Sequence, residues 1–358
     1  MFGTAAALGL LAILQTNPGQ TDIVRPYRDD PIADLLQWIP ATDETERGYA
    51  AWVALPGSPL GVTDALDRLS LVPAPLALGR SGEFQRAVGI SSSQVTGWAS
   101  ALGAGVTILA GEFDHGYVEA SLALADYREE TWRGVTIWSA APPRQAPLSI
   151  EGDDLRAMNV VVPLGDRVLL AIDRSAAEAA LATAVGEGES LADRSEVQGW
   201  LGNGAVAGIM VVDQRDLAVE CGVAGSWTTS DFAGSSGRTV GVVYRLMGNE
   251  TPVTSVWIDL ADDLAAEAGV FSFEAGWRDG YVNQIGLGGP VSALASVADV
   301  RRSGTYVIAD LAQGRDNGWV RSGVRFLVDI CEHSSAMVPA GQPDRATLVA
   351  SPSPEESQ

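Results

Sequence analysis

The chain has 358 residues, a formal net charge of −22, an apolar fraction of 46% and a charged fraction of 19%. That composition can bury a core and excludes a disordered polymer. The carboxylate excess argues against a nucleic-acid partner, because phosphate neutralisation needs clustered Lys and Arg, and it disfavours an anionic membrane surface. All 23 basic residues are Arg, which a GC-rich coding bias explains more simply than function, since Arg and Lys both serve as surface cations.

Met1 to Gln15 is nearly all apolar and uncharged. Phe2 to Leu14 has the length of a signal-peptide apolar region, shorter than the roughly 18 to 20 residues that span a bilayer. No basic residue precedes the run, the first being Arg25, and no small-residue cleavage site closes it. An export signal, intact or truncated, an uncleaved anchor and a buried helix all remain open. The expectation is an export signal or anchor over residues 1–24, which places the protein outside the cytoplasm, secreted or tethered to a membrane through this segment. Residues 25–46, rich in Asp, Pro and Thr, read as a spacer with a short apolar docking patch from Ile32 to Ile39.

Ordered structure is expected from Tyr49 to Leu55, a strand stopped by Pro56-Gly57, followed by a helix over Thr63 to Leu71. Val106 to Phe113 reads as a strand, and Asp114 caps a helix to about Tyr127 with Val118, Leu122 and Ala125 on one stripe. Trp132 to Ser139 reads as one strand. Leu164-Gly165-Asp166 between Asn159–Val162 and Arg167–Ile172 is a hairpin signal. Ser175-x-x-Glu178 and Ser195-x-x-Gln198 each have the reciprocal capping pattern of a helix start.

A second half restarts at Ala205, with a strand over Val206 to Val212 and a helix over Gln214 to Cys221 that mirror Tyr49 to Leu71. Strands over Val240 to Leu246 and Val253 to Leu260, a short helix over Asp262 to Ala268 and a strand over Val270 to Trp277 come next. A helix over Pro290 to Val300, a strand over Thr305 to Ala309 and an amphipathic helix over Asn317 to Cys331 complete it, and the Pro, Ser and Glu content beyond Val338 marks a disordered tail. The organisation predicted is 1–24, 25–46, a first half over 47–202, a second over 203–337 and a tail over 338–358. Clean strand alternation favours an α+β fold of mostly antiparallel sheets, helices packed on one side, in two similar halves.

The chemistry is sparse. His115 and His333 are the two histidines, too few for a multi-histidine zinc site, and no residue set asks for a metal or cofactor. Asp114-His115 reads as a helix cap beside an exposed first-turn residue, and His333 as a residue beyond the last helix. Gly234-Ser235-Ser236-Gly237 lacks the nucleophile-elbow spacing, and Gly202 to Gly208 lacks the dinucleotide spacing. Asp310, Asp316 and Asn317 cluster oxygen ligands without calcium-loop spacing. Cys221 and Cys331 can form a disulfide in an oxidising compartment or stay as two buried thiols.

Tryptophan is the residue that points to binding. With Trp132 and Trp138 on one strand, a period of two places both on one face as an aromatic strip, either a ligand platform or core. The Gly/Ser-rich loop Gly222 to Gly237 carries Trp227 and Phe232 as a second grip. The function expected is a non-catalytic ligand- or partner-binding module outside the cytoplasm, the alternative being a secreted carboxylate-dependent hydrolase with two facing Asp or Glu.

Overall fold

A computed structural model describes residues 30–43, 45–54, 83–101, 105–143, 158–201, 205–213, 239–246, 252–260, 262–283, 289–290, 296–312 and 335–339. Its centre is a twelve-stranded sheet in which every pairing is antiparallel. The strands of the first half are β1 (Gly48–Val53), β2 (Val95–Ala101), β3 (Val106–Gly111), β4 (Tyr127–Trp132), β5 (Val135–Ala140), β6 (Val160–Leu164) and β7 (Arg167–Ala171). Those of the second are β8 (Ala205–Asp213), β9 (Thr239–Leu246), β10 (Pro252–Asp259), β11 (Gly280–Asn283), β12 (Gly289–Pro290), β13 (Ser296–Ser303), β14 (Tyr306–Ala312) and β15 (Ser335–Pro339). The order across the large sheet is β13-β14-β10-β9-β8-β1-β2-β3-β7-β6-β5-β4, and β12-β11-β15 form a separate small sheet. The fold class is α+β, as the strand alternation predicts.

The helices divide between the two faces. Period-two alternation sends Ala50 and Trp52 into one apolar cluster and Tyr49, Ala51 and Val53 into the other. On the Trp52 face lie α2 (Glu83–Val88), α3 (His115–Leu124) and α6 (Asp263–Asp279), through Phe84, Val118, Leu122 and Ala266. On the Tyr49 face lie α1 (Pro31–Leu36), α4 (Arg174–Ala184) and α5 (Ser195–Leu201). Helices on one side were expected, but the strands flanking the centre are apolar on both faces and need cover on both.

The halves are structural repeats about a pseudo-twofold axis. In each, three antiparallel strands lead into a helix, and a returning hairpin lays its second strand against the third: β1-β2-β3-α3…β6-β7 matches β8-β9-β10-α6…β13-β14. The row Tyr49, Ala101, Val106, Ala171, Val160 is matched by Ile209, Val243, Ser255, Asp310, Asp299. At the junction Tyr49 pairs with Val211 and Ala51 with Ile209, so the axis passes between Ala50 and Met210, which face each other.

Local details repeat as well. Asp114 accepts from the Tyr117 N–H at 3.1 Å and Asp262 from the Ala265 N–H at 2.8 Å, capping α3 and α6 alike. The Gly111 N–H donates to the Asp166 carbonyl at 3.0 Å, and the Leu260 N–H to the Thr305 carbonyl at 3.1 Å. Both returning hairpins turn on a glycine in the left-handed region, Gly165 and Gly304.

Several expectations are corrected. The patch Ile32 to Ile39 is no tether: Ile32, Leu35, Leu36, Trp38 and Ile39 are buried, and Asp30 caps α1 through the Ile32 and Ala33 N–H groups. Its Asp34 is buried in a salt bridge with Arg167. Trp132 to Ser139 is not one strand, because Arg133 and Gly134, both at positive φ, form a two-residue turn between β4 and β5. Asp262 to Trp277 is not a short helix and a strand but the single helix α6, with Phe271 67% exposed. Within Pro290 to Val300, residues 296–300 belong to β13. The α3 helix ends at Leu124, and Tyr127 opens β4. The cap of α4 is Asp173, accepting from the Ala176 N–H at 2.9 Å, instead of Ser175. Before α5, the reciprocal pattern falls on Ser190 and Asp193 instead of Ser195 and Gln198. The expected helices over Thr63 to Leu71, Gln214 to Cys221 and Asn317 to Cys331 lie outside the described residues.

Candidate functional site

Comparing the repeats position by position locates where the halves diverge chemically. On the Tyr49 face of the first half, Val106, Ala171, Val160 and Val162 are all buried and apolar beneath α1, α4 and α5. Register places Ser255, Asp310, Asp299 and Arg301 at the matching positions of the second half. Where the first half has four aliphatic positions, the second has a hydroxyl, two carboxylates and a guanidinium.

These four groups bond to one another. The buried Ser255 hydroxyl donates to Asp310 Oδ1 at 2.5 Å, and Arg301 Nη1 donates to Asp310 Oδ2 and, at 2.7 Å, to Asp299 Oδ2. The Asp310 and Asp299 bonds, with the two negative charges behind them, hold the Arg301 guanidinium above its ordinary range against the opposing effect of burial. Depth grades across the ladder, since Ser255 is sealed, Asp310 mostly covered, and Arg301 and Asp299 open to solvent.

Beside the ladder lies a buried aromatic cluster. Trp257 stands edge-on to Trp200 of α5 at 5.8 Å and to Tyr306 at 6.0 Å between ring centroids. The Arg245 guanidinium sits 5.8 Å from the Trp257 ring centroid and donates through Nη2 to the Trp200 carbonyl at 2.9 Å. Burial lowers the affinity of Arg245 for its proton, opposed by the charge of Asp310. Tyr49, in the same face, is pushed well above its ordinary 10.0, first by burial and then by the charges of Glu196 and Tyr306.

Trp132 and Trp138, expected to share one face, do not. Trp132 and Trp138 lie on adjacent strands and opposite faces, Trp138 in the cluster with Trp52 and Trp132 against the cluster with Tyr49, so no aromatic strip exists. Trp227, Phe232, Cys221, Cys331 and His333 lie outside the described residues. Asp114 caps α3, and His115 Nε2 bonds the Gly165 carbonyl, a structural contact between helix and hairpin. Asp310, grouped in the sequence with Asp316 and Asn317 near a helix start, stands inside β14. Among the described residues no group of three or more His, Cys, Asp or Glu could hold a metal ion, and no helix is long and apolar enough to cross a membrane.

The Ser255–Asp310–Arg301–Asp299 ladder was missed in the sequence because its members are scattered over three strands. The signal that could have exposed them was alternation, with Asp299 and Arg301 on either side of Val300 and Asp310 between Ala309 and Leu311, but residues 290–300 read as a helix and the strand over Thr305 to Ala309 stopped short of Asp310. Compared with known proteins, the chain matches no family model, no curated protein and no solved structure.

Proposed function

We propose that the protein is an exported, non-catalytic module that binds a ligand or partner through the Asp299–Arg301–Asp310 surface of its second half. One observation carries this reading: equivalent positions of the first half are aliphatic and sealed, while here they are charged, mutually oriented and partly open. An arrangement of that kind costs desolvation and contributes little stability by itself, so recognition gives it a purpose. The ladder offers carboxylate acceptors beside a guanidinium donor, a pattern suited to a ligand carrying both hydroxyl or amide N–H groups and acceptors. The apolar run Phe2 to Leu14 supports export.

A secreted hydrolase would employ the same two carboxylates. Against it, both carboxylates are held by the same Arg301 Nη1, whereas such a reaction needs two carboxyl groups free to act on the substrate from either side.

The test uses the full chain beside the variant S255V/D299V/R301V/D310A, which installs the residues of the first half. Glycan and peptide arrays probed with both are expected to reveal ligands held by the wild type and lost in the folded variant. Equal binding by both proteins, or turnover of a ligand that Asp310→Asn abolishes, overturns the proposal. Fractionation of the native host is expected to find the chain outside the cytoplasm, and a purely cytosolic location removes the export reading.

A further inference from the structure

Beneath the ladder the buried hydrogen-bond inventory does not balance. Trp200, Arg245 and Trp257 are 4%, 5% and 6% exposed, and they touch through the ring pair, the guanidinium over the Trp257 ring and the bond to the Trp200 carbonyl. The indole N–H of Trp200, the indole N–H of Trp257 and the Nε–H of Arg245 are buried without an acceptor. Arg245 has no ion pair with a described residue either, in contrast to Arg167, which is equally buried and paired with Asp34.

Unmatched donors beside a buried guanidinium that forms no ion pair with a described residue define a deficit. Buried donors are also unmatched at the indoles of Trp38, Trp98 and Trp138 and at Nε of Arg167 and Arg194, but here three fall in one contact group, each costing about 1–3 kcal/mol and more if charged. Every orphan is a donor, none an acceptor. The missing partner is therefore an acceptor, and the group it meets carries a positive charge. A carboxylate supplies both, with two oxygens that a guanidinium can meet side by side through Nε–H and an Nη–H.

We infer that Arg245, Trp200 and Trp257 form a binding site for a monoanionic carboxylate, either a free small acid or the carboxyl terminus of a peptide. This site is separate from the Asp299–Arg301–Asp310 surface and does not depend on that surface binding anything.

The experiment follows the indole N–H resonances of the 15N-labelled full chain during titration with sodium acetate, against sodium chloride at matched ionic strength. Acetate is expected to shift the Trp200 and Trp257 resonances saturably. Arg245→Met is expected to weaken that response by at least about tenfold, the loss of one charged hydrogen-bond partner. Trp257→Phe keeps an aromatic ring, removes one donor and should leave the Trp200 resonance responsive, so the site stays testable if the methionine variant fails to fold. A peptide ending in a free carboxylate and its amide separate the two sources, because tighter binding of the free peptide than of acetate assigns a peptide terminus. Indoles indifferent to both carboxylates, an equal response to chloride, or an unchanged response in Arg245→Met overturns the inference.

Discussion

Asp34 and Arg167 form a buried ion pair that joins the first helix to the returning hairpin of the first half across most of that half's length. Gln37 Nε2 donates to Asp34 Oδ1 at 2.8 Å and Asp166 bonds the other arm of Arg167 at 2.8 Å, so each charge has further partners. Removing one member strands the other in the core. Asp34→Ala is expected to cost roughly 3–5 kcal/mol, and the apolar double variant Asp34→Leu with Arg167→Met to recover most of that loss. Denaturant midpoints of the three proteins check this.

The helix caps provide a paired prediction. Asp114→Ala and Asp262→Ala each remove one side-chain acceptor at the third helical N–H, and each is expected to cost about 0.5–2 kcal/mol. The sites are in different halves, so the double variant should show the sum of the two losses. Thermal unfolding of the two singles and the double measures it.

Glycines at close approaches separate steric from conformational cost. A Cβ at Gly111 would stand 2.1 Å from the Gln94 carbonyl oxygen, backbone that cannot swing aside, so Gly111→Ala should cost about 1–3 kcal/mol or more. Gly165 and Gly304 have open space around that position but φ of +63° and +59°, so their alanine variants should each lose about 1 kcal/mol through backbone strain alone. Equilibrium unfolding ranks the three.

Tyr49 gives the fold an alkaline limit. Its folded-state affinity for the proton exceeds that of the unfolded chain, so above about pH 10 the unfolded state ionises first and stability falls as pH rises towards the folded value. Below that pH both states are protonated and the residue adds no pH dependence. Tyr49→Phe is expected to flatten this alkaline decline, read from unfolding midpoints above pH 10, while phenolate absorbance of the wild type shows one tyrosine ionising only as the fold opens.

Most strands were legible because half-buried antiparallel strands alternate. Val106 to Phe113, Val240 to Leu246 and Val253 to Leu260 all overlap strands of the structure. The repeat was legible as an order of elements but not as residues, since Val106 and Ala171 share no chemistry with Ser255 and Asp310. Where alternation misled, a local device interrupted it. The Arg133-Gly134 turn pairs Trp132 with Val135, so Trp138 falls on the opposite face. In α6 the spacing of Phe271, Phe273 and Trp277 imitates a strand, but Asp262 caps a helix that runs through all three. Ile32 to Ile39 looked dispensable because its polar flanks resemble a linker, and only the sheet shows what it covers. The candidate site was illegible for a different reason: hydrogen-bonding partners such as Ser255 and Asp310 become neighbours through strand pairing alone.

The axis between Ala50 and Met210 has a consequence for how such a chain can be divided. Each half contributes its first strand to the seam, β1 paired antiparallel with β8 through Tyr49–Val211 and Ala51–Ile209. The same seam marks a place to split the polypeptide, between Leu201 and Ala205, into fragments that recognise each other by strand addition.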